Sequence, residues 1–236
     1  MTASSSTRMA PARGAALSRW AREHGLLLAN AGLFLFALVG MALAGVRAYS
    51  SEQVAHGQAA VSLWAYLRTG DFVEALFENW ESEFLQMGMY IVLTAYLFQR
   101  GSSESKPIDA AAPQDEDPRT ADKRTPVPWP VRRGGLVLKL YENSLAGLFF
   151  ILFAASITLH AAGGARAYSA EQLEHHQAPV SVWGYVRTAQ FWFESFQNWQ
   201  SEFLAVAALV GASVFLRQRG SAESKPVAAP HDATSA

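Results

Sequence analysis

Asn79-Trp80-Glu81-Ser82-Glu83-Phe84-Leu85 is the stretch that decides how this chain is organised, because it returns as Asn198-Trp199-Gln200-Ser201-Glu202-Phe203-Leu204. The two copies are 119 residues apart, and the same offset relates residues 99–107 to residues 218–226. The second pair shares the pattern Arg-Gly-Ser-x-Glu-Ser-Lys-Pro. Roughly half of the positions from 47 to 107 are identical in the second copy, which indicates an internal repeat. We therefore predict two tandem copies of one structural unit.

The repeat and the local composition together predict the domain boundaries. Repeat unit 1 covers residues 19–107 and repeat unit 2 covers residues 136–226. Small and polar residues with prolines fill the three remaining segments, which predicts disorder because such segments bury little apolar surface. These are an N-terminal tail at 1–18, a cytoplasmic linker at 108–135 and a C-terminal tail at 227–236.

Overall composition excludes several classes of protein. Hydrophobic residues make up 50% of the chain and charged residues only 17%. A net charge of −1 without a basic patch gives no indication of a nucleic-acid partner. Because the chain contains no cysteine, it has no disulfides, thiolate metal sites or thiol nucleophiles.

The first apolar run of each unit predicts a transmembrane helix. Residues 26–46 contain no charge, and such a run at about 1.5 Å per residue spans a bilayer core of roughly 30 Å. A cleavable signal peptide is the alternative, since Ala42-Leu43-Ala44 has the small-x-small form. The equivalent run at 145–165 lies in the middle of the chain, where a signal peptide cannot be. We therefore predict that both helices are retained.

The second apolar run of each unit is too short to span alone, but an aromatic, amphipathic stretch precedes each one. Together they predict transmembrane helices at about 77–99 and 196–218. Arg100 and Arg219 suit a helix C-terminus, and Gly101 and Gly220 suit the left-handed position after it. The predicted fold class is an all-α membrane protein with four transmembrane helices from two tandem parallel two-helix repeats.

The distribution of cations predicts the topology. Fifteen Lys and Arg residues lie in the two tails and the linker with its flanks. The intervening segments hold only four, at Arg47, Arg68, Arg166 and Arg187. The positive-inside rule then places both termini and the linker in the cytoplasm.

The duplicated Asn-Trp-x-Ser-Glu-Phe-Leu and Arg-Gly-Ser-x-Glu-Ser-Lys-Pro motifs resemble an uncharacterised bacterial membrane-protein family with a domain of unknown function. The resemblance covers the chain from about residue 20 to residue 226. It implies a bacterial membrane protein and brings no activity, ligand or catalytic residue with it.

The polar residues shared by both copies are the candidates for a site. On a helix they form two similar faces, because residues three and four apart lie on one side. These paired polar faces are Asn79, Ser82 and Glu83 in the first copy and Asn198, Ser201 and Glu202 in the second. One interpretation places both glutamates at the water boundary. We predict instead that the faces pack against protein, with Arg47 and Arg166 as ion-pair partners of Glu83 and Glu202.

Histidines and aromatic residues have simpler interpretations. His56 and His175 are expected to be solvated loop residues, because no tight metal-ligand spacing surrounds them, and no metal is predicted. His160 lies inside the third span and is expected to form interhelical hydrogen bonds, a proton relay being the alternative. The shared Val-Ser-x-Trp-x-Tyr phrases, which include Trp64 and Tyr185, predict an interfacial aromatic belt.

No nucleophile elbow, phosphate-binding loop, dinucleotide fingerprint or zinc-protease motif occurs, so neither an enzyme nor a cofactor is predicted. We predict a binding or organising component of the bacterial cell envelope. Its partners would be the lipid bilayer and another membrane or envelope protein, and it could form homo-oligomers. The alternative is a small transporter or channel-like protein that uses the paired polar faces.

Overall fold

The computed structural model describes residues 19–122 and 126–234, and all of the regular elements among them are helical. The predicted N-terminal tail at 1–18 lies outside the described residues. The chain divides into two compact units, Met1–Arg68 and Thr69–Ala236. The first unit contains α1 (Gly25–Ala55) and α2 (Leu63–Tyr66). The second unit contains α3 (Gly70–Tyr96), α4 (Trp129–Arg133), α5 (Gly135–Glu142), α6 (Ser144–Glu174), α7 (Val182–Tyr185) and α8 (Ala189–Phe215).

Hydroxyl residues start the same helices at the same relative positions. Thr69 Oγ1 accepts a hydrogen bond from the backbone N–H of Phe72 at 3.2 Å, and Thr188 Oγ1 accepts one from Phe191 at 3.3 Å. Such caps satisfy N–H groups that have no partner within the helix. They make α3 and α8 begin 119 residues apart, as do α1 and α6.

Two of the described helices, α1 and α6, are long and apolar enough to cross a membrane, whereas the sequence predicted four such helices. The prediction of an all-helical fold is confirmed for the described residues, and membrane crossing by α3 and α8 stays a prediction. α3 and α8 are less apolar because of their composition. Each has 27 residues, but acids and amides interrupt the first half of each helix.

The C-termini of α3 and α8 come earlier than predicted. The helices end at Tyr96 and Phe215, and the next residue of each is extended. The predicted terminal glycines do adopt left-handed backbone, with φ of 81° and 85°, but in turns beyond the helix. A serine of each motif explains the difference. Ser105 Oγ accepts from the backbone N–H of Gln99, and Ser224 Oγ accepts from that of Gln218, so the chain turns before the helix can continue.

The lysine of each motif contacts the chain that follows it, in the linker and in the C-terminal tail for which disorder was predicted. Lys225 Nζ donates to the carbonyl oxygens of Pro230, His231 and Ala233 at 2.9 to 3.2 Å. Lys106 Nζ donates to Asp115 at 2.6 Å, beside two short 3₁₀ helices in the linker. An ammonium group removed from water needs such acceptors, so it gathers the polar chain around itself.

Glycines allow α3 and α6 to approach closely at one end of the second unit. A Cβ on Gly70 would lie 2.5 Å from the backbone nitrogen of Ala167, and one on Gly163 would lie 2.6 Å from that of Glu74. Small residues permit this kind of contact between helix backbones. The approach brings the first turns of α3, which are rich in glutamate, directly against α6.

Candidate functional site

Ionisable side chains from four helices of the second unit meet in its interior. Three glutamates lie at i, i+4 and i+7 on α3, which places them along one face of that helix. We use the name carboxylate–histidine cluster for the group formed by Glu74, Glu78 and Glu81 of α3, His160 of α6, Tyr185 of α7 and Glu194 of α8.

His160 is at the centre of the cluster, and both of its ring nitrogens have carboxylate neighbours. Nδ1 lies 3.0 Å from Glu81 Oε2, and Nε2 lies 3.3 Å from Glu194 Oε2. The side chains of His160 and Glu81 are 0% exposed. The imidazole also stacks on Phe191, with ring centroids 4.9 Å apart and planes inclined by 28°. These contacts fix the position and the orientation of the ring.

The Tyr185 hydroxyl connects two of the carboxyl groups. It lies 2.7 Å from Glu74 Oε1 and also contacts Glu194 Oε2. A hydroxyl has one hydrogen to donate and can also accept one, so both contacts are hydrogen bonds when one of the two carboxyl groups carries a proton.

Glu194 has hydrogen-bonding neighbours on both of its carboxyl oxygens. The Gln190 amide donates to Glu194 Oε1 at 2.6 Å, and Glu194 Oε2 lies beside His160 Nε2 and the Tyr185 hydroxyl. These contacts hold the Glu194 carboxyl group in one orientation.

The second copy of the opening motif supplies donors to the other two glutamates. Asn198 Nδ2 donates to Glu78 Oε1, and Trp199 Nε1 donates to Glu81 Oε1 at 3.2 Å. These bonds join α8 to α3 across the cluster. Glu78 and Glu81 therefore each have a hydrogen-bond donor from α8.

The charge balance of the cluster is uneven. It contains four carboxyl groups and one imidazole, so it would carry three excess negative charges if every group were ionised. Buried charges of one sign are strongly unfavourable without compensation. Protons or a bound cation must therefore balance the carboxylates.

The predicted polar faces are only partly buried. In the first copy, Ser82 is buried and donates to the carbonyl oxygen of Asn79 at 2.8 Å, whereas Asn79 and Glu83 are exposed. In the second copy, Asn198 joins the cluster and Ser201 is exposed. The buried face of α3 instead follows Glu74, Glu78 and Glu81, which is displaced around the helix from the predicted one.

The predicted ion pairs stay predictions. Arg47 belongs to the first unit, where its guanidinium donates to the carbonyl oxygen of Leu43 at 3.3 Å, and Glu83 belongs to the second. Arg166 is an exposed residue of α6. Glu202 is half-buried and interacts electrostatically with Glu83, an acid rather than an arginine.

The structure agrees with several of the simpler interpretations and corrects one. His160 forms the interhelical hydrogen bonds that were predicted, and His56 and His175 are exposed. Trp64 is 69% exposed, as expected for an aromatic belt. Tyr185 was assigned to the same belt but is completely buried in the cluster.

The sequence-based prediction missed most of the cluster because its candidate site residues were the polar residues shared by both copies. Glu81 occupies the variable position of the motif, and Gln200 occupies it in the other copy. Glu74 and Glu194 also differ from their counterparts. The signal that could have found them was the i, i+4, i+7 spacing of the α3 glutamates together with a histidine in an apolar span.

The fold and the cluster define an all-helical protein with two candidate membrane-spanning helices and a buried ionisable centre. The chain belongs to the DUF6766 family, described as a domain of unknown function, whose model matches residues 17–236. No curated protein and no solved structure matches this chain.

Proposed function

We propose that this is an integral membrane protein whose carboxylate–histidine cluster binds a cation. The observation that carries the proposal is the excess of carboxyl groups over basic groups in the cluster, whose glutamates are buried (Glu81) or half-buried. Ionisable residues inside a membrane protein mark functional sites by default, because their burial is costly. The proposal is one of binding and not of catalysis.

The two apolar helices support the membrane assignment. α1 and α6 each have 31 residues, and α1 has no residue buried within its unit. Lipid is the natural neighbour of such an apolar surface. We place the protein in the bacterial inner membrane as a binding or organising component of the envelope, in contact with lipid and with a further envelope protein or a second copy.

The proposed topology has both termini and the linker in the cytoplasm, which requires α3 and α8 to return the chain across the bilayer. Helices of 27 residues are long enough, and polar groups are tolerated when they face protein. The cation distribution supports this arrangement. Reporter fusions after Ser105 and Ala228 would test it, and an extracellular response from either fusion would contradict it.

Cation binding can be measured directly on the full-length protein purified in mild detergent. Equilibrium dialysis against sodium, potassium, magnesium, calcium, manganese and zinc salts, followed by elemental analysis, should show at least one cation retained per chain. Retention should be lost in Glu194→Gln and kept in the matched control Glu83→Gln, which makes the same change at an exposed position. If none of these cations is retained, protons alone balance the cluster and the proposal is wrong.

A small transporter is the second candidate function. Its support is the set of buried polar side chains on α3, α6 and α8. Few polar groups were expected within the spans from the sequence alone, and that scarcity had counted against transport. Reconstitution in liposomes would distinguish the two functions. Cation flux that depends on Glu194 would favour transport, and binding without flux would favour a binding component.

A further inference from the structure

We infer that the cation of the carboxylate–histidine cluster is a divalent transition-metal ion, and that Glu74, His160 and Glu194 are its ligands. The inference rests on the proposed function, because it specifies which cation the cluster takes. It is supported by the positions of the donor atoms, by the groups that orient them and by the chemistry of the donor set.

The donor atoms lie close enough to share one ion. One ligand atom from each of Glu74, His160 and Glu194 lies within 4.8 Å of the others. Bonds of about 2.0–2.2 Å to a first-row metal place two donors at most roughly 4.4 Å apart. Side-chain adjustments of about half an ångström would therefore bring all three donors around a single ion.

Glu81 gives His160 the orientation of a metal ligand. The Nδ1–H group of His160 can donate to Glu81 Oε2 at 3.0 Å, which directs Nε2 toward Glu194. Trp199 in turn fixes Glu81 through its indole N–H. A carboxylate on the second ring nitrogen is the usual support of a metal-bound histidine, because it selects the tautomer and raises the basicity of the ligating nitrogen.

Tyr185 supports the carboxylate ligands in the same way. Its hydroxyl lies between Glu74 and Glu194 and contacts both. Gln190 fixes the remaining oxygen of Glu194. The three proposed ligands thus all have hydrogen-bonding neighbours that limit their rotation, as expected for a preorganised site.

The donor set selects the class of ion. One imidazole nitrogen and two carboxylate oxygens suit zinc, manganese or ferrous iron. Calcium and magnesium prefer sites built entirely from oxygen, and the chain has no thiolate for cuprous copper. A charge of +2 would offset two of the four carboxylates, and Asn198 and Trp199 donate hydrogen bonds to the other two glutamates.

The sequence allows one such site in each chain. At the 119-residue offset, Phe193, Met41 and Ala75 stand in place of Glu74, His160 and Glu194. Phenylalanine and alanine have no donor atom, and a lone thioether is a poor ligand for these ions. Binding should therefore saturate at one ion per chain.

The test uses full-length protein that carries no polyhistidine tag, purified in detergent and treated with a chelator. Isothermal titration with zinc and manganese chlorides should give one ion per chain, whereas magnesium and calcium should bind at least about 100-fold more weakly. His160→Ala, Glu194→Gln and Glu74→Gln should each weaken zinc binding by about 100-fold or more, and Glu81→Gln by about 10- to 100-fold. Glu83→Gln and the double change His175→Ala and His176→Ala should leave binding unchanged.

A spectroscopic readout keeps the test independent of binding heats. Cobalt(II) bound at the site should give visible absorption bands that differ between wild type and Glu81→Gln. This substitution leaves the three ligands in place and alters only the hydrogen-bond partner of His160. If His160→Ala fails to fold, as judged by gel filtration and circular dichroism, Glu194→Gln and Glu74→Gln carry the test.

The outcomes separate the two proposals. Sodium, potassium, magnesium or calcium binding that needs Glu194, without zinc or manganese binding, would overturn the metal assignment and keep the proposed function. Zinc binding that survives in His160→Ala and Glu194→Gln but is lost in the His175 and His176 variant would show a surface site and overturn the assignment. Binding of no cation would overturn both.

Discussion

Several residues in and around the carboxylate–histidine cluster are repeated 119 positions away, but the carboxyl and imidazole residues of the cluster are not. Tyr185, Asn198 and Trp199 have identical counterparts in Tyr66, Asn79 and Trp80. Every charged or imidazole member of the cluster is replaced by a residue that does not ionise. The replacements are Phe193 for Glu74, Gln197 for Glu78, Gln200 for Glu81, Met41 for His160 and Ala75 for Glu194.

The shared tyrosines also make matching contacts within each unit. Tyr49 and Tyr66 have ring centroids 5.6 Å apart in the first unit, and Tyr168 and Tyr185 are 5.7 Å apart in the second, both with planes inclined by 44°. In each unit, a glycine leaves room for the tyrosine ring. The comparison teaches that residues shared by the two copies can recur in matching contacts, whereas the proposed ligands are residues that differ between the copies.

The largest expected effect follows from exchanging His160 for its counterpart. His160→Met removes one of the two side-chain partners of Glu81, whose side chain is 0% exposed, and should cost about 3–5 kcal/mol of unfolding free energy because the buried carboxyl group then keeps only the Trp199 donor. It should also abolish metal binding. Chemical unfolding in detergent measures the loss of stability.

Met41→Leu is the control for that exchange, because it changes the counterpart position while conserving volume and should cost less than about 1.5 kcal/mol. Equal losses in the two variants would show that the cluster has no special energetic role.

The next effect concerns the close approach that brings Glu74 to α6. Gly163→Ala would place a Cβ 2.6 Å from the backbone nitrogen of Glu74, so a helix must move, at a cost of at least about 2 kcal/mol. The same move should weaken zinc binding. Gly147→Ala on the same helix meets no atom within 4 Å and should be neutral or stabilise by up to about 1 kcal/mol. A stable Gly163→Ala with wild-type zinc affinity would contradict the packing argument.

Sequence reasoning predicted the two apolar helices well because apolar length is a local property. Positions 26–46 and 145–165 lie within α1 and α6 as the structure has them. The cluster could not be predicted in the same way, since Glu81, His160 and Glu194 are far apart in the chain and meet only through helix packing. Residues shared by the two copies were preferred as site candidates, and these included Glu83 and Asn79, which are exposed. Periodicity alone does not say which helix face meets a neighbour.

A smaller effect is expected for Glu81→Gln, which changes the residue to its counterpart. Glutamine keeps an acceptor for His160 but loses the charge, so the variant should lose about 1–2 kcal/mol of stability. Gln200→Glu makes the reverse change at an exposed position and should shift stability by no more than about 0.5 kcal/mol. Thermal unfolding of both variants in one detergent gives the comparison. A larger loss of stability for Gln200→Glu than for Glu81→Gln would contradict the claim that position 81, and not position 200, lies in an energetically important cluster.

The last effect is the pH dependence of zinc binding. Carboxyl and imidazole ligands must release their protons before they coordinate a metal, so zinc should bind more tightly at pH 8 than at pH 6. Isothermal titration at several pH values measures this change, and Glu83→Gln should keep the wild-type profile because Glu83 is exposed and is not one of the proposed ligands. A zinc affinity that is equal at pH 6 and pH 8 would contradict ligation by Glu74, His160 and Glu194.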